Sequence, residues 1–243
     1  EVMVSPNFGP RVGVSRPDMI ILHYTGMKTG ESAEAWLCAP ESEVSSHYLV
    51  HEDGRIVQMV RESDRAWHAG MSFWSGITDV NSHSVGIEIV NPGHEFGYRG
   101  FPARQIAAVI DLCRGIAARH AVVPERVLGH SDVAPGRKVD PGEKFPWRQL
   151  AQEGVGHFVA PVRAGGRPLL RQGDAGEAVE ELQSMLSLYG YGAEITGVFD
   201  PATGVLVSAF QRHFRPRRVD GVADKSTVET LRRLLHALPA RPG

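Results

Sequence analysis

Three side chains, widely separated in a chain of 243 residues, carry the donor chemistry of a catalytic metal site. His23 closes the apolar run Met19-Ile20-Ile21-Leu22. His130 and Asp140 lie in the stretch Gly-His-Ser-Asp-Val-Ala-Pro-Gly-Arg-Lys-Val-Asp-Pro-Gly-Glu-Lys-Phe-Pro-Trp, residues 129–147. Zinc in hydrolases is commonly held by three protein ligands of this His/His/carboxylate kind, with the fourth tetrahedral position left to water. The set reads as a catalytic zinc site.

Two further residues supply what such a site needs for hydrolysis. Lys138 precedes Asp140 by two positions, so in an extended loop both side chains face one point. A cation there weakens metal affinity but stabilises an oxyanion that develops on an attacked carbonyl. In Ser84-Val85-Gly86-Ile87-Glu88-Ile89-Val90 a carboxylate interrupts an apolar strand; buried and unpaired it is costly, whereas beside an activated water it is a general base. Of the 11 histidines, His47 in Ser46-His47-Tyr48 and His68 in Ala66-Trp67-His68-Ala69-Gly70 are candidate cleft residues. Trp67, beside His68, and Asn91, just past the Glu88 strand, join them as candidate substrate contacts.

These residues must be positioned by a sheet. Met19–Tyr24 and Ser84–Val90 read as strands, and His47–Val50 and Arg55–Val60 flank Glu52-Asp53-Gly54 as a hairpin. Ser32 is the expected cap of a short helix through Cys38, and a stripe of Ile106, Val109, Ile110, Cys113 and Ile116 predicts a longer helix from near Pro102. The expected fold is mixed α/β, a central mixed β-sheet flanked by helices. From Val155 to Arg167 the pattern dissolves into Gly, Pro, Val and Ala, the composition of a linker. Beyond it Gly197-Val198-Phe199-Asp200 is echoed by Gly221-Val222-Ala223-Asp224, and three apolar stripes predict a small three-helix domain in which Asp200 and Asp224 cap helices and Pro201 occupies a first helical position. The expected division is 1–154 catalytic, 155–167 linker, 168–238 three-helix domain and 239–243 tail.

Composition narrows the partners. A formal net charge of -2 gives no electrostatic reason to bind nucleic acid, and the one basic cluster, Arg212, Arg215, Arg217 and Arg218, reads as a solvated loop. No apolar run approaches a bilayer span. Cys38 and Cys113 read as small buried hydrophobes.

Five fragments in order, Ile21-Leu22-His23-Tyr24-Thr25, Ser46-His47-Tyr48, Trp67-His68-Ala69-Gly70, Gly86-Ile87-Glu88 and the His130–Trp147 block, resemble the zinc-dependent N-acetylmuramoyl-L-alanine amidases of the AmpD and AmiD type. The resemblance covers the whole first domain. It implies cleavage of the amide between N-acetylmuramic acid, or its anhydro form, and the L-alanine of the peptidoglycan stem peptide. It implies zinc on His23, His130 and Asp140, Glu88 as general base and Lys138 on the transition state. The phage-type branch has a tyrosine just before the histidine equivalent to His47; Ser46 stands here, and Glu88 fills that vacancy.

The second domain resembles the three-helix peptidoglycan-binding module through Leu182-Gln183, Gly190-Tyr191-Gly192, Gly197-Val198-Phe199-Asp200, Phe210-Gln211 and Asp220-Gly221. That implies an anchor on a flexible tether. The expected partners are peptidoglycan or muropeptides, for a bacterial monomer working in the envelope if a leader is removed and in the cytoplasm otherwise. Two rival functions remain: a non-catalytic peptidoglycan-recognition protein, which loss of a zinc ligand would betray, and a zinc peptidase cutting within the stem, whose His-Glu-x-x-His fingerprint the sequence lacks.

Overall fold

The computed structural model describes residues 1–162 and 168–239. The first unit runs β1 (Phe8–Pro10), β2 (Met19–Tyr24), α1 (Gly30–Leu37), β3 (Tyr48–Val50), β4 (Ile56–Gln58), β5 (Asp64–Ala66), α2 (Val80–His83), β6 (Ser84–Ile89), α3 (Ala103–His120), β7 (Val127–Gly129), α4 (His130–Val133) and α5 (Trp147–Gln152). Five strands form one sheet in the order β4-β3-β6-β2-β7. β2 is parallel to β6 and β7, β6 is parallel to β3, and only the β3–β4 hairpin is antiparallel. The sheet is mixed, as the sequence predicts. β1 and β5 pair as a separate ribbon.

Strand alternation sorts the sheet into two faces. Ile20, Leu22, Val85 and Ile87 pack with the α3 stripe of Ile106, Val109, Cys113 and Ile116. Each fully buried side chain of this kind contributes roughly 1.5–3 kcal/mol. The other face of β2 carries Met19, Ile21 and His23. α1 starts earlier than its expected cap: Thr29 Oγ1 accepts the Ser32 N–H at 3.1 Å, because Ser32 already lies in the first turn. Cys113 is buried, whereas Cys38 is only partly so.

The second unit contains the short ribbon β8 (Pro168–Leu170) with β9 (Ala223–Asp224), and the helices α6 (Glu177–Tyr189), α7 (Pro201–Phe214) and α8 (Lys225–Ala237). Asp200 and Asp224 cap α7 and α8 by accepting the N–H groups of Thr203 and Thr227 at 2.7 and 2.8 Å. The repeat extends to buried glutamines. Gln183 accepts the N–H groups of Thr196 and Gly197, and Gln211 those of Asp220 and Gly221, each fixing the turn before the next helix. Gly197 and Gly221 take φ +69 and +71°, where a side chain is strained.

A flexible tether is not what the chain forms over 155–162. Val155 is buried and Phe158 packs against the apolar clusters of both units. His157 Nδ1 lies 2.9 Å from Tyr189 Oη, and Ser226 Oγ–H donates to the Val162 carbonyl at 2.6 Å. The expected linker residues 163–167, and 240–243 of the expected tail, lie outside the described residues. One apolar cluster is continuous from Met19, Ile21 and Trp74 of the first unit to Leu182, Tyr191 and Phe210 of the second. The basic cluster is not wholly solvated either: Arg215 is 2% exposed, with Nη2 donating to Thr227 Oγ1 at 2.7 Å and lying 3.3 Å from Asp224 Oδ1. No described helix is long and apolar enough to cross a membrane.

Candidate metal centre and active site

The C-terminal ends of β2 and β7, with the loop after α4, bring three donors to one point. His23 Nδ1 lies 2.9 Å from His130 Nδ1 and 3.1 Å from Asp140 Oδ2, and His130 Nδ1 lies 3.0 Å from Asp140 Oδ2. All three residues are buried. Ligands about 2.0–2.1 Å from a tetrahedral ion stand roughly 3.3 Å apart, so these separations suit a small metal ion.

The hydrogen bonds on the far side of each ring assign the tautomers. Ser84 Oγ–H donates to the Val80 carbonyl at 2.6 Å, which leaves its oxygen to accept from His68 Nε2 at 3.1 Å. His68 Nδ1 therefore accepts from His23 Nε2 at 3.0 Å, and His23 Nδ1 is left with a lone pair. His130 Nε2 donates to the Ala69 carbonyl at 3.1 Å, with the same result for its Nδ1. Two imidazole lone pairs and a carboxylate oxygen thus converge, a repulsive arrangement unless a cation lies between them. Orientation of ligating imidazoles by an outer layer of acceptors is what metal sites use. Among the described residues these three form the one metal-competent group of His, Cys, Asp and Glu.

Electrostatics agree. Burial and the neighbouring His130 lower His23 to a pKa of about 4, so the ring is neutral at pH 7.

Beside the triad is a cleft of about 360 Å³ whose lining includes Tyr24, Trp36, Trp67, Glu88, Lys138 and Asp140. Glu88 is the register partner of His23 on the adjacent parallel strand. Its Oε2 is enclosed and makes no hydrogen bond among the described residues. Burial, then the Asp140 carboxylate, pushes Glu88 well above the ordinary range, and Lys138 opposes them. Lys138 and Val139 also line a second depression, on the α7 side of the second unit.

The four expected substrate contacts divide. Trp67 lines the cleft. His68 reaches the cleft wall, but both ring nitrogens are engaged, and its place is behind His23. Gly86 makes room for it: a Cβ there would lie 2.5 Å from the His68 ring. His47 is not a cleft residue. It is fully buried, with Nε2 donating to the Asp64 carbonyl at 3.0 Å and Nδ1 accepting the Gly86 N–H at 2.9 Å. Asn91 is likewise structural, its Nδ2 donating to the Arg99 carbonyl at 2.9 Å and its Oδ1 accepting the Gly93 N–H at 3.0 Å. Short polar side chains that close loops through backbone groups carry no sequence mark distinguishing them from ligand contacts.

Sequence reasoning misses Ser84, Ala69, Asn81 and Arg137. Asn81 Oδ1 accepts the N–H groups of His68 and Ala69 at 3.1 and 2.8 Å, and Arg137 donates to the carbonyls of Ala69 and Met71. Together they fix the carbonyl that aims His130. The one available signal is Gly86, a glycine inside a strand, which marks a close approach.

Known proteins share this architecture. Residues 13–143 match the N-acetylmuramoyl-L-alanine amidase family profile, and residues 175–231 match a peptidoglycan binding domain profile. The chain is 37% identical over 232 residues to the N-acetylmuramoyl-L-alanine amidase AmiD of Escherichia coli, covering 90% of this chain and 83% of AmiD. The structure of E. coli AmiD with anhydro-N-acetylmuramic acid-L-Ala-D-gamma-Glu-L-Lys superposes with a TM-score of 0.76 at 36% identity, over 93% of this chain and 91% of that one. AmpDh3 from Pseudomonas aeruginosa in complex with anhydromuramic pentapeptide gives a TM-score of 0.76 at 31% identity, over 98% and 96% of the two chains. Sequence, fold and the converging donors agree, and the chain belongs to the N-acetylmuramoyl-L-alanine amidase family.

Proposed function

We propose that this protein hydrolyses the amide between N-acetylmuramic acid, or its anhydro form, and the L-alanine of the stem peptide, with zinc held by His23, His130 and Asp140. The observation that carries the reading is the convergence of two oriented imidazole lone pairs and one carboxylate oxygen beside an open cleft. The relatives named with anhydromuropeptides support the substrate class. The AmiD and AmpDh3 proteins are bacterial, which favours a bacterial wall-turnover or recycling role.

Zinc, when bound, supplies Lewis-acid polarisation of the scissile carbonyl and of the attacking water. Glu88 takes the water's proton on a carboxylate oxygen and returns it to the departing L-alanine nitrogen. A cation at the triad and the Lys138 ammonium both favour the ionised form of Glu88 that this requires. Lys138, whose ammonium has no ion-pair partner among the described residues, stabilises the oxyanion as the carbonyl becomes tetrahedral. Trp67 and Tyr24 shape the walls that orient the substrate.

The test is mass spectrometry of products from a soluble anhydromuropeptide and from purified sacculi, with metal content measured in parallel. Release of the intact stem peptide with a free L-alanine amine is expected, with loss of turnover and of about one zinc per chain in His130→Ala. Cleavage inside the stem, or full activity after complete chelation, refutes the reading.

A further inference from the structure

We infer that the three-helix unit is a working part of the metal centre: Tyr191 and His213 hold the Asp132 carboxylate, and Asp132 holds the turn that aims His130. The inference rests on the zinc reading above.

Asp132 follows His130 by two residues and is 1% exposed. Its Oδ2 accepts the Gly129 N–H at 2.8 Å and His213 Nδ1–H at 2.7 Å, and its Oδ1 accepts Tyr191 Oη–H at 2.7 Å. One donor belongs to the catalytic unit and two belong to the C-terminal unit. A carboxylate so deeply buried requires its donors. If only the Gly129 N–H remained, one oxygen would be left unpaired.

The turn it fixes is short. α4 spans His130–Val133, too few residues to hold its own shape. The Gly129 N–H bonded to Asp132 sets the chain entering His130. One residue past His130, Ser131 N–H donates to the Asp140 carbonyl at 2.9 Å, so the same turn joins two of the three proposed ligands. A shift of Asp132 therefore moves both His130 and its spacing to Asp140.

The two donors are themselves immobilised. The His213 ring stacks on Trp147 at 3.7 Å and on Phe214 at 3.8 Å between centroids, and Tyr191 meets Trp74 edge-on at 4.9 Å. Ser75 N–H donates to the Gly190 carbonyl at 2.8 Å, and a side chain at Gly190 would strike Trp74. A module that only recruited the enzyme to its substrate would need neither a pair of hydrogen-bond donors at this depth nor a connection to the ligand turn.

The test separates positioning from packing. Tyr191→Phe with His213→Phe keeps both aromatic contacts and removes only the two hydrogen bonds. His213→Asn restores a donor at the Nδ1 position. Leu231→Ala loosens the three-helix core far along the chain from the node. Zinc affinity is read with zinc ion alone against a chromophoric chelator, together with the thermal transition and kcat and KM on a small soluble muropeptide. The double variant should melt in one transition yet bind zinc about tenfold more weakly, the range for loss of groups that orient ligands. Its kcat should fall with KM little changed, and Tyr191→Phe paired with His213→Asn should recover part of the affinity. Leu231→Ala should melt earlier and bind zinc normally. A wild-type zinc dissociation constant in the folded double variant overturns the inference. If the double variant does not fold, an unchanged zinc dissociation constant in Tyr191→Phe alone does the same. His130→Ala tells the two failures apart, since normal zinc affinity in that variant refutes the metal reading itself.

Discussion

His23 and Glu88 face one another in register across the parallel pair β2–β6. Neighbouring strands lie about 4.8 Å apart, so a proposed metal ligand and a free carboxylate are held side by side by backbone hydrogen bonds rather than by contact with one another. Metal binding and proton transfer are thereby separable. Glu88→Gln should retain its zinc while turnover falls on the order of 100-fold or more, as for loss of a positioned base. Metal analysis and single-turnover rates check this, and a near-normal rate returns Glu88 to a structural role.

The same carboxylate should weigh on stability. Its folded pKa is raised, chiefly by burial. Between the unfolded and folded values the native state binds the extra proton, so stability falls as pH rises through that window and the penalty is complete above it. In metal-free protein, Glu88→Gln should melt several degrees higher than wild type at pH 7, with the difference closing near pH 4. Thermal scans across pH decide it; a constant difference would contradict the assigned cause.

Ser84 is buried and does not line the cleft, yet it sets the proton on His68 and through it the free lone pair on His23. Ser84→Ala should weaken zinc binding by about 10-fold, and Gly86→Ala should do so by displacing the His68 ring. Chelator competition measures both. Unchanged affinity in each would mean that His23 needs no such orientation.

His47→Ala should cost about 1–3 kcal/mol of stability by orphaning the buried Gly86 N–H, without a selective rise in KM. Denaturant unfolding beside steady-state kinetics distinguishes this from a role in substrate contact.

Lys138→Ala should lower kcat roughly 100-fold and leave KM nearly constant if its ammonium acts on the developing oxyanion. A change confined to KM would place it in ground-state binding instead.

A fragment ending near Gly156 should be less stable than the whole chain. It uncovers Trp74, 1% exposed in the full structure, and takes two of its three donors from Asp132. Calorimetry of both proteins is the check, and an equally stable, fully active fragment would show that docking contributes nothing.

What could be read from the sequence was whatever local pattern encodes. The strand Met19–Tyr24, the α3 stripe and the Asp200 and Asp224 caps all declare themselves within a few residues. The proposed ligands were legible because His, His and Asp in those settings have a narrow chemical use. The roles of His68 and His47 were not, since an imidazole that supports a ligand and one that supports a backbone amide look alike until their partners are known. The docked module was hidden for a related reason. Tyr191 and His213 lie 59 and 81 residues from Asp132, and the Gly- and Pro-rich stretch between them suggests a freedom that the packing of residues 155–162 does not bear out.

Docking also alters how a long polymer would be met. A tethered anchor lets its partner sweep a volume, and any bond within reach is an equal target. Here the catalytic cleft and the depression on α7 share Lys138 and Val139 as a common wall, at one fixed offset. If the module holds a strand, as its match to a peptidoglycan binding domain suggests, that strand would be presented in phase, like stock against a stop. The enzyme's spacing along a repeating substrate would be set by the length of a rigid body, not by diffusion at the end of a string.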